Sequence, residues 1–261
     1  MELFIKSWAM WMPPKHNDDT SLLPELKQVP AMTRRRLSKL TKLAFDVALQ
    51  TAEQQDNHPL PTIFASRHGD LHKTLMLLQQ LGNGEELSPS QFALSVHNAI
   101  SGQFSIYSQN QADSNAIAAG ADSLHYAVLD AAARFRAEPK LNQQLVVYAD
   151  EAIPEPYQAF CQDPSTSVAL ALLLHRTQGQ PVHFTMCADN DAEAEPDQPK
   201  GNAAGPRRGA RDGGAGYLSL HRRPLFDRAK PALDRRIVLE VLSLPFPARD
   251  PGPGSDVRDR V

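Results

Sequence analysis

Histidines and acidic residues near the ends of predicted strands are the side chains best suited to chemistry in this sequence. His68 and His72 lie four residues apart, a spacing that lets two imidazoles bind one metal ion. No third ligand stands at a fixed spacing from them, so we predict neither a metal site nor a cofactor. Asp150, Glu151 and Glu155 follow a predicted strand, where sites often occur, although a charged loop stiffened by prolines is also typical of a surface connection.

Nucleophilic side chains are placed less favourably for catalysis. The two cysteines, Cys161 and Cys187, lack any C-x-x-C pairing, so we expect two free thiols. His97 stands in a stretch of small residues, where a hydrogen-bonded interface or core histidine is the commoner role. The sequence contains no G-x-G-x-x-G, G-x-x-x-x-G-K-[ST], G-x-S-x-G or H-E-x-x-H motif. Dinucleotide, nucleoside triphosphate, serine hydrolase and zinc protease sites are therefore not predicted.

Basic residues open the first long predicted helix, namely Arg34, Arg35, Arg36 and Lys39. Positive charge at a helix N-terminus opposes the helix dipole, so stability alone does not favour this arrangement. An anionic partner would favour it, and an acidic protein surface, a phosphate and a plain solvated charge run all stay open. Nucleic acid is the weakest candidate, because the first 199 residues are acidic and no aromatic residues are interleaved with the basic ones.

The elements that must position these side chains alternate between strands and helices. Apolar runs without strict alternation predict strands that are buried on both faces, and amphipathic stretches separate them. The predicted strands are Leu3–Ala9, Thr62–Ser66, Asn115–Ala119, Leu145–Tyr148, Val168–Leu174 and Val182–Met186. The predicted helices are Thr33–Gln55, Asp70–Leu81, Phe92–Ile106 and Ala121–Arg136. The order predicts an α/β fold, with the last two strands forming an antiparallel hairpin at the sheet edge.

Length and composition set the class of protein. The chain has 261 residues, 41% hydrophobic, with a formal net charge of −3, which is ordinary for a globular protein. The longest apolar run, Val168–Leu174, is far shorter than the roughly 20 residues of a membrane helix, so no membrane span is predicted. The N-terminus makes a poor secretory signal, because Lys6 interrupts it and no small-residue cleavage site follows. We expect a cytoplasmic protein.

The chain changes character near residue 200. Residues 1–199 carry a net charge of −9, whereas residues 200–261 carry +6 and are rich in arginine, glycine and proline. We therefore predict a compact domain over 1–199 and an atypical C-terminal tail over 200–261. Three explanations of the tail stay open: an out-of-frame reading of the gene, a disordered tail, or a divergent ordered end.

Two segments carry a resemblance to a known family. LSPSQFALSVHNAISG (residues 87–102) resembles the helical segment that precedes the nucleophile strand of β-ketoacyl synthases. PTIFASRHGDL (residues 61–71) and RRRLS (residues 34–38) resemble the short ketosynthase-like proteins of aryl polyene and related polyketide gene clusters, which serve as chain length factors. The resemblance covers residues 1–199. It implies the N-terminal half of a thiolase-like fold, a layered α/β/α unit with a mixed sheet.

The resemblance also locates the position of the family's nucleophile. In active ketosynthases a cysteine sits where a strand meets a helix, so that the helix N-terminus lowers the thiol pKa. Alignment through Asn98 and Gly102 places this elbow at residues 118–123, with Ala121 where the cysteine should be. The family's catalytic histidines belong to a second half, which this chain is too short to contain. The resemblance therefore implies no catalytic residue.

The function implied by the resemblance is that of a chain length factor, a non-catalytic subunit that pairs with an active ketosynthase and shapes its acyl tunnel. The residues expected at the dimer interface or tunnel are Phe92, His97, Asn98, Gly102, Phe104 and Tyr107. The residues expected to dock an acyl carrier protein are Arg34, Arg35, Arg36 and Lys39.

Two alternatives stay open. One is a short acyltransferase or ketosynthase that uses Ser123, His97 or His125 in place of the cysteine. The other is a stand-alone module that binds an acyl carrier protein without any ketosynthase.

Overall fold

The computed structural model describes residues 3–13, 23–52, 59–161, 167–188 and 235–241, with side chains described within residues 3–182. The strands are β1 (Leu3–Trp11), β2 (Thr62–Ala65), β3 (Ser114–Ile117), β4 (Gln143–Asp150), β5 (Val168–His175), β6 (Gln180–Ala188) and β7 (Arg235–Val241). The helices are α1 (Ala31–Arg36), α2 (Lys39–Ala52), α3 (Leu71–Gly82), α4 (Pro89–Ala93), α5 (Ala99–Ser108), α6 (Ser123–Ala137) and α7 (Glu155–Gln158).

The strands form one mixed sheet in the order β3-β2-β4-β5-β1-β6-β7. β2 pairs in parallel with β3 and β4, whereas β5 is antiparallel to both β4 and β1. β1 to β4 therefore run in one direction, and their carboxyl ends lie at the same edge of the sheet. The predicted α/β class is confirmed.

Helices cover both faces of the sheet because the central strands are apolar on both sides. On one face, α2 and α5 bury Leu40, Phe45 and Phe104 against the sheet. On the other face, α6 buries Val128 and Phe135. The four residues of β2 are buried throughout, as expected for a strand inside a layered α/β/α unit.

The predicted helix over Thr33–Gln55 is wrong as a single element. α1 ends at Arg36, buried Leu37 is extended, and α2 begins at Lys39. The side-chain oxygen of Ser38 accepts a hydrogen bond from the Thr41 backbone N–H at 3.2 Å, which is how a serine starts a helix. The break reverses the expected effect of the basic residues on helix stability. Arg34–Arg36 lie in the last turn of α1, where positive charge complements the helix dipole.

The predicted helix over Phe92–Ile106 is also divided. α4 ends at Ala93, and α5 begins at Ala99 with Asn98 at its N-cap position. The turn between them holds Val96 and His97. This division separates the exposed apolar residues of α4 from the face of α5 that packs on the sheet.

The predicted hairpin between the last two strands of the 1–199 region is wrong. β1 lies between β5 and β6, and both are antiparallel to it. The connection over residues 176–179 therefore passes across β1, where the strand register shifts between Ile5 and Ser7. Strand order depends on pairing with a distant segment, which the short linker did not reveal.

A histidine closes the start of this connection. The Nδ1 atom of His175 accepts hydrogen bonds from the backbone N–H groups of Thr177 and Gln178, each at 3.0 Å. This geometry requires an unprotonated Nδ1. Burial, followed by the positive charge of Lys6, lowers the pKa of His175.

We expect the stability of the protein to fall as the pH drops through about 6.5, the ordinary pKa of histidine. The unfolded chain takes up a proton there, whereas folded His175 resists it, so protonation favours unfolding. His175→Asn keeps a side-chain oxygen that accepts the same two N–H groups but does not titrate. Urea unfolding at pH 7.5 and 5.5 should show a smaller difference for H175N than for wild type; equal differences would contradict the role of His175.

Part of the predicted C-terminal tail joins the sheet. β7 pairs antiparallel with β6 over Arg235–Val241. The rest of residues 200–261 lies outside the described part of the chain, as does the side chain of Cys187.

Among the residues that the structure describes, no helix combines the length and the apolar character needed to span a membrane.

Candidate functional site

The turn between β3 and α6 stands at the carboxyl edge of the parallel strands. After β3 the chain makes a single turn of 3₁₀-helix over Gly120–Asp122 and enters α6 at Ser123. Gly120 has a φ of +58°, a left-handed conformation that glycine adopts without strain. Ala121 is exposed in this turn, and the side chain that it presents to solvent is a methyl group. The sharp strand-to-helix turn predicted for residues 118–123 is present in the structure.

Ser123, the nearest hydroxyl, closes the turn from inside. Its side chain is fully buried, and its Oγ donates to the Gly120 carbonyl oxygen at 2.8 Å. The same Oγ accepts the Ala119 backbone N–H at 3.0 Å. Both contacts hold the turn together. They leave the hydroxyl hydrogen-bonded to backbone rather than to a base.

The two histidines of the catalytic alternative, His97 and His125, face groups other than Ser123. The Nε2 atom of His97 donates to the Ser66 carbonyl oxygen at 3.0 Å. The Nδ1 atom of His125 lies 3.6 Å from Asp122 Oδ1. Burial lowers the pKa of His125, and the Asp122 carboxylate opposes that shift. Neither imidazole is hydrogen-bonded to Ser123 in the described structure, so these side chains do not form a nucleophile–base pair.

A buried carboxylate organises the same edge of the sheet. Asp150 Oδ1 accepts hydrogen bonds from Ser66 Oγ and from the Arg67 backbone N–H, each at 2.8 Å. The Tyr148 hydroxyl donates to the other carboxylate oxygen. Ser66 Oγ in turn accepts the Gly69 backbone N–H at 2.9 Å. Asp150 therefore fixes the loop after β2, and it is not the exposed charged connection that the sequence suggested as the ordinary alternative.

The neighbouring acidic and histidine residues are held by separate contacts. His72 Nε2 lies 2.9 Å from the Ala152 carbonyl oxygen. Burial raises the pKa of the Glu151 carboxyl; His72 and Lys39 oppose this shift, and Asp70 adds to it. Among the described residues, no group of three histidine, cysteine or acidic side chains is arranged to hold a metal ion.

The basic residues of α1 differ in their surroundings. Arg34 Nη1 donates to the carbonyl oxygens of Glu25 and Leu26, at 2.9 and 3.1 Å. Leu26 is buried with a φ of +45°, a strained conformation for a leucine. Arg34 therefore stabilises the loop that precedes α1. Arg35 and Arg36 are exposed.

A family model for the N-terminal domain of β-ketoacyl synthases matches residues 8–211. The match spans most of the chain, including the elbow and the buried carboxylate. The chain belongs to the β-ketoacyl synthase N-terminal domain family. The resemblance read from the sequence is confirmed.

Solved structures support the same assignment. A structure of a ketosynthase (ApeO) in complex with its chain length factor (ApeC), from Xenorhabdus doucetiae, matches at 28% identity and a TM-score of 0.63. The alignment covers 72% of this chain and 84% of the matched chain, so the matched chain is the shorter of the two. No curated protein matches the sequence.

More distant structures agree in fold. A type II polyketide acyl carrier protein in complex with its ketosynthase (AntDE:AntF) matches with a TM-score of 0.54 at 12% identity, covering 73% of this chain and 72% of that one. A β-ketoacyl synthase from Burkholderia phymatum matches with a TM-score of 0.50 at 13% identity. That alignment covers 64% of this chain and 51% of the synthase, so this chain spans about half of it. The thiolase-like fold is confirmed.

The predicted interface residues of this ketosynthase-like domain occupy different environments. Phe92, Asn98 and Gly102 are exposed, and His97 is half-buried. Tyr107 is half-buried and donates its hydroxyl to the Gln28 carbonyl oxygen at 3.1 Å. These positions are accessible to a partner, and their role there stays a prediction.

Phe104 is a core residue instead. It is 3% exposed, and its ring centroid lies 5.4 Å from those of both Phe45 and Phe64. Its side chain is therefore committed to packing α5 on the sheet, and the tunnel role expected for it has no support in the structure.

Two features of the ketosynthase-like domain were missed by sequence reasoning. The first is the Ser66–Asp150 hydrogen bond, although Tyr148 and Asp150 stand two apart in a strand and so share a face. The second is Ile106, which is 82% exposed on α5 although its neighbour Phe104 is buried. Ile106 is thus an exposed apolar side chain on the helix that packs beside β3.

Proposed function

We propose that this chain is a chain length factor, a non-catalytic ketosynthase-like subunit that pairs with an active ketosynthase in polyketide or aryl polyene biosynthesis and shapes its acyl tunnel. The observation that carries the proposal is the elbow. The turn between β3 and α6 stands where the family resemblance places the nucleophile, and Ala121 is exposed there with no group to form an acyl bond.

The geometry of Ser123 disfavours the catalytic alternative. A serine nucleophile needs an exposed hydroxyl activated by a base. Ser123 is fully buried and donates to the Gly120 carbonyl oxygen. An acyltransferase that used Ser123 would have to break the turn that positions it.

The edge of the sheet offers a surface for the ketosynthase partner. β3 is the outermost strand on its side of the sheet, so its outer backbone groups face no described strand. α5 and α6 pack beside β3 on opposite faces, and they carry exposed Ile106 and Tyr126. An unpaired edge flanked by exposed apolar side chains favours association with a second protein.

The comparison at 28% identity also supports a heteromeric role. The matched chain belongs to a ketosynthase–chain length factor complex and is shorter than the present one. A pairing of this kind, between a ketosynthase and a chain length factor, is the role that we propose for this chain.

Two aromatic residues of the original tunnel prediction are still accessible to the partner. Phe92 is 58% exposed on α4, whereas Tyr107 is half-buried beside Phe45. We propose that Phe92 contributes most to the end of the tunnel, because its ring is free to contact a neighbouring subunit.

The carrier-docking surface is reduced to the exposed arginines of α1. Arg34 is used inside the chain, and Lys39 lies close enough to Glu151 to affect its pKa. Arg35 and Arg36 are exposed and have no such contact described. We propose that these two arginines meet the acidic surface of an acyl carrier protein.

Reversing both charges should weaken carrier use without unfolding the chain. R35E/R36E is expected to raise the KM for carrier-bound substrate about tenfold, because two attractive contacts become repulsive. Steady-state kinetics of the reconstituted complex measure this. Arg136→Glu, another exposed arginine at the end of a helix, serves as the control. An unchanged KM in R35E/R36E would remove α1 from the docking surface.

The central experiment is co-expression of this chain with a ketosynthase of the same gene cluster, followed by size exclusion and by labelling with an acyl thioester or a cerulenin-type reagent. We expect one complex in which the ketosynthase is labelled and this chain is not. A label on this chain would favour the catalytic alternative. A separate monomer that still binds carrier protein would favour the stand-alone binding module.

A further inference from the structure

The loop after β2, over Ser66–Gly69, contacts the His97 ring. His97 Nε2 donates to the Ser66 carbonyl oxygen at 3.0 Å, which requires the tautomer that carries its proton on Nε2. Gly69 lies against the same ring, because a Cβ built there would be 3.4 Å from His97 Cδ2. Gly69 also has a φ of +61°. Glycine at this position thus allows the left-handed backbone conformation of the loop that contacts the ring.

The buried Asp150 carboxylate holds this loop in its conformation. Asp150 binds the Ser66 hydroxyl and the Arg67 backbone N–H, and the Ser66 hydroxyl binds the Gly69 N–H. Ser66 and Asp150 are 5% and 9% exposed. Hydrogen bonds shielded from water in this way hold the loop in one conformation whether or not His97 is bound to it.

The segment that carries His97 has few other attachments. Residues 88–98 are called the α4 segment here. None of the residues of α4 itself is buried. Within the segment, Phe92 N donates to Ser88 O and Ser95 Oγ donates to Phe92 O. Two further hydrogen bonds join the segment to α5, from Ala99 N to Val96 O and from Gly102 N to Asn98 O, and α4 packs against α3. Phe92 and Val96 are 58% and 40% exposed. The position of the α4 segment therefore depends on a small number of contacts, and the His97–Ser66 hydrogen bond is the one that ties it to the loop after β2.

We infer that His97 is a positioning residue, which anchors the α4 segment to the Ser66–Gly69 loop and thereby sets where Phe92 and Val96 stand. This inference rests on the proposed function, because it is in the partner's tunnel that the position of Phe92 acquires an effect. A displacement of the α4 segment would change the space at the end of that tunnel. His97 acts through Phe92 and does not itself meet the acyl chain.

Two substitutions separate the hydrogen bond from the bulk of the ring. His97→Ala removes the donor, whereas His97→Gln keeps an amide N–H at a similar reach from the backbone. In the isolated chain, hydrogen–deuterium exchange of residues 88–98 should be at least about threefold faster in H97A than in wild type, and near wild type in H97Q. This arm needs no partner, so it tests the anchor even if the proposed function fails.

The functional arm uses the wild-type complex with its ketosynthase as the reference. Mass spectrometry should show that H97A shifts or broadens the product-length distribution, while total product stays within about twofold and H97Q restores the original distribution. Phe92→Ala should shift the distribution too, and the double variant H97A/F92A should add little to F92A alone, because both act through one side chain.

Gly69→Ala gives a second perturbation that leaves His97 intact. Alanine is strained at the φ of +61° found here, whereas its methyl group would make an ordinary van der Waals contact with the ring, 3.4 Å from Cδ2. Strain in the loop that binds His97 should shift the product lengths in the same direction as H97A. The inference is overturned if H97A forms the complex with an unchanged distribution and unchanged exchange over residues 88–98. Failure of the wild-type chain to pair with any ketosynthase would instead overturn the proposed function and remove the tunnel role of His97 with it.

Discussion

Gly179→Ala should destabilise the protein by about 4 kcal/mol or more, which is a large part of the stability of an ordinary domain. A Cβ at position 179 would lie 2.2 Å from the Ile5 carbonyl oxygen and 2.8 Å from the Lys6 Cα atom. These are backbone atoms of a central strand, so neither is free to move aside. The expected result is a large loss of soluble, folded protein at physiological temperature.

The crossing of β1 is the reason for this sensitivity. The chain leaves β5 on one side of β1 and enters β6 on the other side, and Gly179 lies directly over β1 at that point. Its φ of +117° is a conformation that residues with a Cβ rarely adopt. Alanine at position 179 therefore meets a steric clash and an unfavourable backbone conformation together.

Gly82→Ala is the matched control. Gly82 ends α3, has nothing within 4 Å of a built Cβ, and has no positive φ. Alanine there should leave stability unchanged or raise it by about 0.5–1 kcal/mol. Thermal and urea unfolding of both variants measure the difference. A melting temperature of G179A close to that of wild type would show that the chain does not cross β1 this tightly.

Local patterns predicted the elements well and their arrangement poorly. The six strands β1 to β6 all overlap predicted strands, because an apolar run bounded by turn residues is a local signal. The position of β1 between β5 and β6 is not local, since β1 pairs with residues 158 to 179 positions away from their partners in the sequence. A four-residue linker resembles a hairpin turn whether or not a third strand lies beneath it.

Small differences in local signals explain the errors within helices. Ser38 is a good N-cap, and it divides a stretch whose apolar period is continuous. Phe104 and Ile100 are four residues apart on one face of α5, and both are buried. That spacing was available in the sequence and would have placed Phe104 in the core rather than in a tunnel.

The position of the elbow was predicted by aligning the sequence with the family it resembles. The hydrogen bonds around the elbow were not predicted. Alignment through Asn98 and Gly102 located the turn that holds Ala121. The Ser66–Asp150 hydrogen bond joins residues 84 positions apart, so no local pattern predicts it. The different roles of Arg34 and Arg35 were equally hidden, because neighbouring arginines look alike until the structure shows which one reaches the carbonyl oxygens of Glu25 and Leu26.

Ile106→Asp should weaken the complex with the ketosynthase partner at least about 100-fold while leaving the isolated chain folded. Ile106 is 82% exposed, so the substitution costs the monomer little. In the proposed complex the same position is covered by the partner. A carboxylate buried there without a partner of opposite charge carries a large desolvation penalty. Copurification and titration by calorimetry or interferometry measure the loss.

The control for this substitution must change an equally apolar and exposed residue away from β3. Phe160 is 71% exposed after α7, so Phe160→Asp makes the same change of chemistry on a different surface. We expect F160D to bind the ketosynthase with wild-type affinity and I106D to elute as a separate chain. Loss of binding in F160D but not in I106D would contradict an interface at the β3 edge, because the exposed apolar residue on α5 would then make no contribution to binding. Loss in I106D alone, with unchanged melting temperature, would place the partner against α5 and the outer edge of β3.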